Sequence, residues 1–130
     1  MLLGFQRNFI DEKIDEIIEF SELGDFIDRP VKSYSSGMYS KLAFSITAIL
    51  ETDIMLIDEV LSVGDAKFKK KSYAKMKELI SKEDRTVLIV SHSSDTIKNL
   101  CDNVLWIHDV EMKMYGTTAE VLPKYDEFMK

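Results

Sequence analysis

Scarcity narrows the possibilities for this chain before any motif does. A single cysteine, Cys101, among 130 residues permits no internal disulfide and fits a reducing compartment. It stands where a helix ends, a place for a thiol packed inward. No apolar run approaches the roughly eighteen residues needed to cross a bilayer. Met1 to Phe5 is followed at once by Gln6, Arg7 and Asn8, so no leader peptide with an apolar core and cleavage site is expected. The expectation is a soluble, cytoplasmic chain that docks on a membrane protein. Aromatic residues fall at core spacings, and no platform with interleaved bases offers itself to RNA or single-stranded DNA. A net charge of −6 and a pI near 4.9 speak against nucleic acid generally. Repeats, low-complexity tracts and flexible linkers are absent. So is any Gly-x-x-x-x-Gly-Lys-Ser/Thr phosphate-binding loop.

What is present suffices for one domain, since 45% of the residues are hydrophobic. Charge is uneven. Residues 1–30 hold eight acids against three bases, whereas six lysines and no acid lie between Lys67 and Lys77. The lysine run reads most simply as a solvated helix face.

Ile10, Ile14, Ile17 and Ile18 recur at helical spacing with acids between them, which predicts an amphipathic first helix. Leu23-Gly24 should stop it and Pro30 should prevent its resumption. Residues 33–36 read as a loop, and 37–50 as a second helix buried on one side. Ile54 to Ile57 is a continuous apolar run of the kind found in parallel strands covered on both faces. Residues 66–80 have a helical pattern, 86–90 repeat the buried-strand pattern, and a short helix spans 95–100. Strands follow over 104–107 and 111–115. A final helical stretch begins at Thr117 and should break at Pro123. Strand, helix, strand, helix, strand predicts an α/β fold: a helical N-terminal segment, then a mostly parallel sheet with crossover helices.

Three places carry possible chemistry. Ser35-Ser36-Gly37 at a helix start offers hydroxyls, unpaired N–H groups and the positive end of the helix dipole. That is a phosphate clamp or an ordinary N-cap. Asp58 and Glu59 end a strand at its carboxyl edge, where ligands bind in such sheets. One acid suits a hard cation and its neighbour can activate a water, though a strand can also simply end in a solvated turn. His92 closes the next strand and precedes Ser93-Ser94. Its imidazole can bond a phosphoryl oxygen or a carboxylate, or be structural. His108 reads as a strand-end surface residue without a role.

Taken in order, these features resemble the nucleotide-binding domain of ABC transporters over essentially the whole chain. Tyr34-Ser-Ser-Gly-Met38 looks like the signature motif, and Ile54-Met-Leu-Ile-Asp-Glu59 matches the Walker B strand. Leu61-Ser-Val-Gly-Asp65 matches the D-loop, and His92 the switch histidine. The stretch Glu22 to Met38 and the phrase Ile57 to Asp65 are in the style of the ATPases that export teichoic acid, O-antigen and other surface polysaccharides. Tyr34, Ser36, Met38 and Val60 depart from the commoner transporter pattern in that branch's manner. The resemblance implies a P-loop-NTPase-like partial domain. Residues 1–50 would belong to the helical subdomain and 51–130 to the catalytic core. It implies ATP and Mg²⁺ as ligands. Ser35, Ser36, Gly37 and Asp65 would lie in the nucleotide-binding set, Asp58 at the metal, and Glu59 and His92 in catalysis. Implied partners are a second ATPase subunit and a transmembrane permease, with no nucleic acid, at the inner face of the cell membrane.

The front of such a domain has no counterpart here: no phosphate loop with its Lys, no Q-loop, no adenine-stacking aromatic. The expectation is therefore a truncation, a mis-read frame, a split gene product or an excised piece that is inactive alone. A second reading is a non-catalytic module that binds a partner ATPase subunit. A third is an α/β domain whose acids and histidine are structural.

Overall fold

The computed structural model describes residues 4–58 and 64–130. In chain order the elements are helix α1 (Arg7–Ser21), two short 3₁₀ turns (Gly24–Asp28 and Val31–Ser33), α2 (Ser36–Ile49), strand β1 (Ile54–Asp58), α3 (Ala66–Ile80), β2 (Thr86–Val90), α4 (Ser94–Leu100), β3 (Asn103–His108), β4 (Glu111–Thr117) and α5 (Thr118–Phe128). They divide into two compact units. The first holds the three long helices α1, α2 and α3; the second holds nearly all of the strand residues with α4 and α5.

In the first unit α1 ends where expected. Glu22 takes a left-handed conformation (φ 56°) and donates its N–H to Glu19 O, closing the last turn. Ile17, Ile49 and Leu50 form a buried cluster against which Phe9, Phe20, Leu42 and Ile46 pack. Phe20, Phe44 and Phe68 make a second knot, one ring from each helix, with centroids 5.9–6.2 Å apart. Phe68 and Leu79 are wholly buried on α3, as the helical spacing predicts. The lysine run of α3 is more than solvated surface. Lys71 donates to Phe20 O at 2.9 Å, sits 4.4 Å from the Phe20 ring centroid and faces Glu22 at 3.4 Å.

The second unit departs from the expected sheet. Among the described residues there are two two-stranded sheets, β1–β2 and β3–β4. Thr86 N–H donates to Asp53 O at 2.8 Å, so β1 and β2 start side by side and run the same way around the α3 connection. The parallel-sheet reading fails at β3, which pairs antiparallel with β4. The cause is local. Asp109 (φ 50°) and Val110 (φ 65°) form a two-residue turn between the opposed pair His108 and Glu111, the geometry that matches hairpin twist. Neither residue is glycine or asparagine, so composition concealed the turn.

Two further expectations are corrected. α5 runs through Pro123 without breaking. A proline there removes one backbone bond just beyond the first turn. Burial of Val121 and Leu122, with Trp106 seated edge-on against Tyr125 and Phe128, holds the helix regardless. Nor are β1 and β2 covered on both faces. Met55 and Ile57 are buried, but Leu56 is 72% exposed, Leu88 59% and Val90 57%. The helices of this unit pack on each other and on β3–β4, leaving that face bare.

Candidate functional site

Ser35 is the N-cap of α2. Its backbone is extended, and its Oγ accepts from Met38 N–H at 3.2 Å. One of the orphan donors of the first turn is thereby satisfied, and the amides of Ser36 and Gly37 keep no intrahelical acceptor. Both serines are exposed. A Cβ added at Gly37 would meet only Ser35 Oγ, at 3.9 Å, so there is open room over the helix end. The cap and the clamp readings of this segment are compatible: one hydroxyl shapes the turn and leaves the other groups facing outward.

Asp65 has more to do than the sequence suggested. It is the N-cap of α3, with Oδ1 accepting from Lys67 N–H at 3.0 Å and Phe68 N–H at 2.9 Å. Its Oδ2 accepts from Lys41 Nζ at 2.8 Å. The Lys41 hydrogen bond, followed by the Phe68 amide, holds the carboxyl down at about 2. Lys41 was missed in the sequence. The signal was present, because Lys41 is the one charged residue in the otherwise neutral stretch Ser36–Ile49.

In the second unit Asp58 is the last residue of β1 and is exposed. His92 follows β2 by two residues and is exposed too, so the two stand at the finishing ends of neighbouring strands. The turn around His92 is well held. Ser93 N–H donates to Ser91 Oγ at 3.1 Å, and Ser93 Oγ caps α4 by accepting from Thr96 N–H at 3.2 Å. Ser94 Oγ donates to Asp126 on α5 at 2.5 Å. Glu59, the expected water-activating base, lies outside the described residues, as do Val60 and residues 61–63 of the expected D-loop. The structure thus groups Ser35, Ser36 and Gly37 with Asp65 in the first unit, and Asp58 with His92 in the second.

Cys101 closes α4 and is partly buried, and burial pushes its thiol up, as suits a packed rather than reactive residue. Among the described residues no cluster of three or more His, Cys, Asp or Glu could hold a metal by itself. A divalent cation at Asp58 would therefore take most of its oxygens from phosphate and water, the habit of Mg²⁺. The α2 end, with the exposed Ser36, first-turn amides that have no intrahelical acceptor and room at Gly37, suits a phosphate group. Among the described residues no helix is long and apolar enough to cross a membrane.

The first unit thus presents a serine-capped helix end, and the second an acid and a histidine at adjacent strand ends. The chain belongs to the ABC-transporter nucleotide-binding domains, related to the ATPases of teichoic-acid and polysaccharide exporters. It is 52% identical over 130 residues to the teichoic acids export ATP-binding protein TagH of Lactococcus lactis, matching all of this chain and 28% of that protein. TagH of Staphylococcus haemolyticus is 45% identical, again over the whole chain and 49% of the relative. The O-antigen export system ATP-binding protein RfbB of Myxococcus xanthus is 43% identical over 127 residues, 98% of this chain and 29% of that protein. The chain thus spans half or less of each of these relatives. Among solved structures, an ATP-binding subunit of an ABC transporter superposes with a TM-score of 0.76 at 18% identity, over 95% of this chain and 51% of that one. A dimeric ATP-binding cassette in a post-hydrolysis state with ADP and phosphate gives 0.67, also at 18% identity, over 88% of this chain and 50% of that one. No family model matches the chain.

Proposed function

We propose that this chain supplies the signature-helix and acid-bearing part of an ATP-hydrolysing subunit that drives export of teichoic acid or a related surface polysaccharide. The observation that carries the reading is the 52% identity to a teichoic-acid export ATPase along the entire chain, with Ser35 to Gly37 standing open at a helix end. In this reading Glu59 orients a water and takes its proton as the water oxygen attacks the γ-phosphorus of ATP. The bond from that phosphorus to the β–γ bridging oxygen breaks, and ADP and phosphate leave. Bound at Asp58, Mg²⁺ would supply charge neutralisation. Asp58 holds the phosphate-side cation, and His92 bonds the γ-phosphate. Ser35, Ser36 and Gly37 face nucleotide held by a second ATPase subunit, with Asp65 ordering the turn at the same interface. A membrane permease would be the further partner, placing the assembly at the inner face of the membrane.

The phosphate loop must come from polypeptide outside these 130 residues, which shapes the experiment. Replacing the matched segment of Lactococcus lactis TagH with this chain should give a chimera that binds and hydrolyses Mg-ATP. A folded chimera that binds ATP without hydrolysing it would contradict the catalytic assignment. One observation favours a second reading, a non-catalytic module that docks on a complete ATPase: the bare apolar face of Leu56, Leu88 and Val90. Stable 1:1 capture of an intact relative by this chain, with hydrolysis suppressed, would support it.

A further inference from the structure

Lys41 joins two helix starts through a largely covered stem, although its partner Asp65 is 60% exposed. The lysine side chain is 16% exposed although it lies on α2 among neutral residues, and its Nζ donates to Asp65 at 2.8 Å while standing 5.1 Å from the Phe68 ring centroid. By contrast Lys67 reaches Glu22 only at 3.9 Å with 85% of its side chain in solvent. Gly64 explains how Lys41 gets close. It takes a φ of +76°, and a Cβ there would fall 2.9 Å from Lys41 Cε and 3.3 Å from Cγ. The lysine stem occupies the space a side chain at 64 would need. On α2 itself, Lys41 O accepts from the wholly buried Ser45 Oγ at 2.6 Å, fixing the second turn. One turn earlier are Ser35 and Gly37.

We propose that Lys41 is a positioning residue that locks the Ser35–Gly37 end of α2 to the Gly64–Asp65 entry of α3, so that the two respond as one body. The inference rests on the proposed reading only for its catalytic consequence; the mechanical coupling stands on the geometry. Lys41 touches neither water nor phosphate in this scheme. It sets the angle at which the serine hydroxyls and the amides of Ser36 and Gly37 are presented, and joins that angle to the cap made by Asp65. Such alignment acts on the chemical step more than on nucleotide affinity, which the phosphate loop dominates.

Two measurements decide the matter. In the 130-residue chain, hydrogen exchange is followed at the amides of Met38, Lys67 and Phe68 for Lys41→Met and Lys41→Arg. Coupling predicts that Lys41→Met speeds exchange at all three sites by about ten-fold or more and leaves α5 unchanged, with Lys41→Arg close to the parent. Faster exchange at Lys67 and Phe68 with Met38 unmoved would reduce Lys41 to a local helix-cap partner and overturn the proposal. In the chimera, Lys41→Met should lower kcat by about ten-fold with KM for ATP little changed, and Lys41→Arg should restore most of it. A rise in KM alone would also overturn the proposal. If the parent chimera does not hydrolyse ATP, the functional reading fails, and the exchange result still decides the coupling.

Discussion

Arg85 lies beside Glu51 with its side chain almost wholly buried: Nη2 is 3.1 Å from the carboxylate, and the side chain is 5% exposed. Lys82 bonds the other carboxylate oxygen, and Arg85 Nη1 is buried with no hydrogen-bond partner among the described residues. Removing the acid leaves a buried cation unpaired, so Glu51→Gln should destabilise the chain. Because 41% of the Glu51 side chain faces solvent, the loss at neutral pH should be only about 1 kcal/mol. The hydrogen bond from Lys82, ahead of the charges of Lys82 and Arg85, holds the Glu51 carboxyl below its ordinary range. A depressed folded-state value contributes stability above the unfolded value of about 4.3 that disappears as pH falls through the folded one. Urea unfolding should therefore separate parent and variant at pH 7 and bring them together near pH 3. An equal gap at both pH values would show that the carboxylate charge is not responsible.

At the β3–β4 turn a β-branched residue holds a conformation that costs it free energy. Val110 has φ 65° and is 99% exposed, so its side chain gains nothing from packing. Val110→Gly should raise stability by about 1 kcal/mol, seen as a higher urea midpoint with unchanged slope. An unchanged or lower midpoint would mean that the strain at this turn is smaller than its φ value implies.

Much of the element order was legible because it depends on short-range patterns. Helical spacing placed α3 over its full range, and β-branched continuity placed β2. The start of α2 was marked by Ser35, a residue whose oxygen can cap. What escaped depended on distant partners or on backbone conformation. The hairpin turn uses Asp109-Val110 where Asn-Gly would have announced it. Pro123 was read by its local cost, while the packing of α5 against Trp106 decides the outcome. Continuous apolar runs 54–57 and 87–90 suggested strands covered on both faces, yet periodicity cannot say whether covering elements lie in the same chain. For the site, the acid, the histidine and the serine helix end were visible as motifs. Lys41 was not, because its meaning comes from Asp65, 24 residues away.

The exposed face of β1–β2 should make the isolated chain associate. Leu56, Leu88 and Val90 present apolar surface on strands that also carry an open edge. Sedimentation at micromolar concentration should show dimers or larger species, and Leu56→Lys with Leu88→Lys should shift them toward monomer. A parent chain that stays monomeric and binds no hydrophobic dye would count against an interaction surface here.

The chain alone should bind Mg-ATP only feebly, more weakly than about 1 mM, since it contains no phosphate loop with its lysine. Calorimetric titration giving micromolar affinity would place the nucleotide on groups other than those assigned.

The most direct test concerns Glu59. In the chimera carrying this chain within Lactococcus lactis TagH, phosphate release is measured for the parent and for Glu59→Gln under saturating Mg-ATP. The variant should still bind nucleotide while release falls by roughly 10²–10³-fold, the scale of a lost general base. Release at the parent rate would contradict the assignment of Glu59 as the residue that activates water.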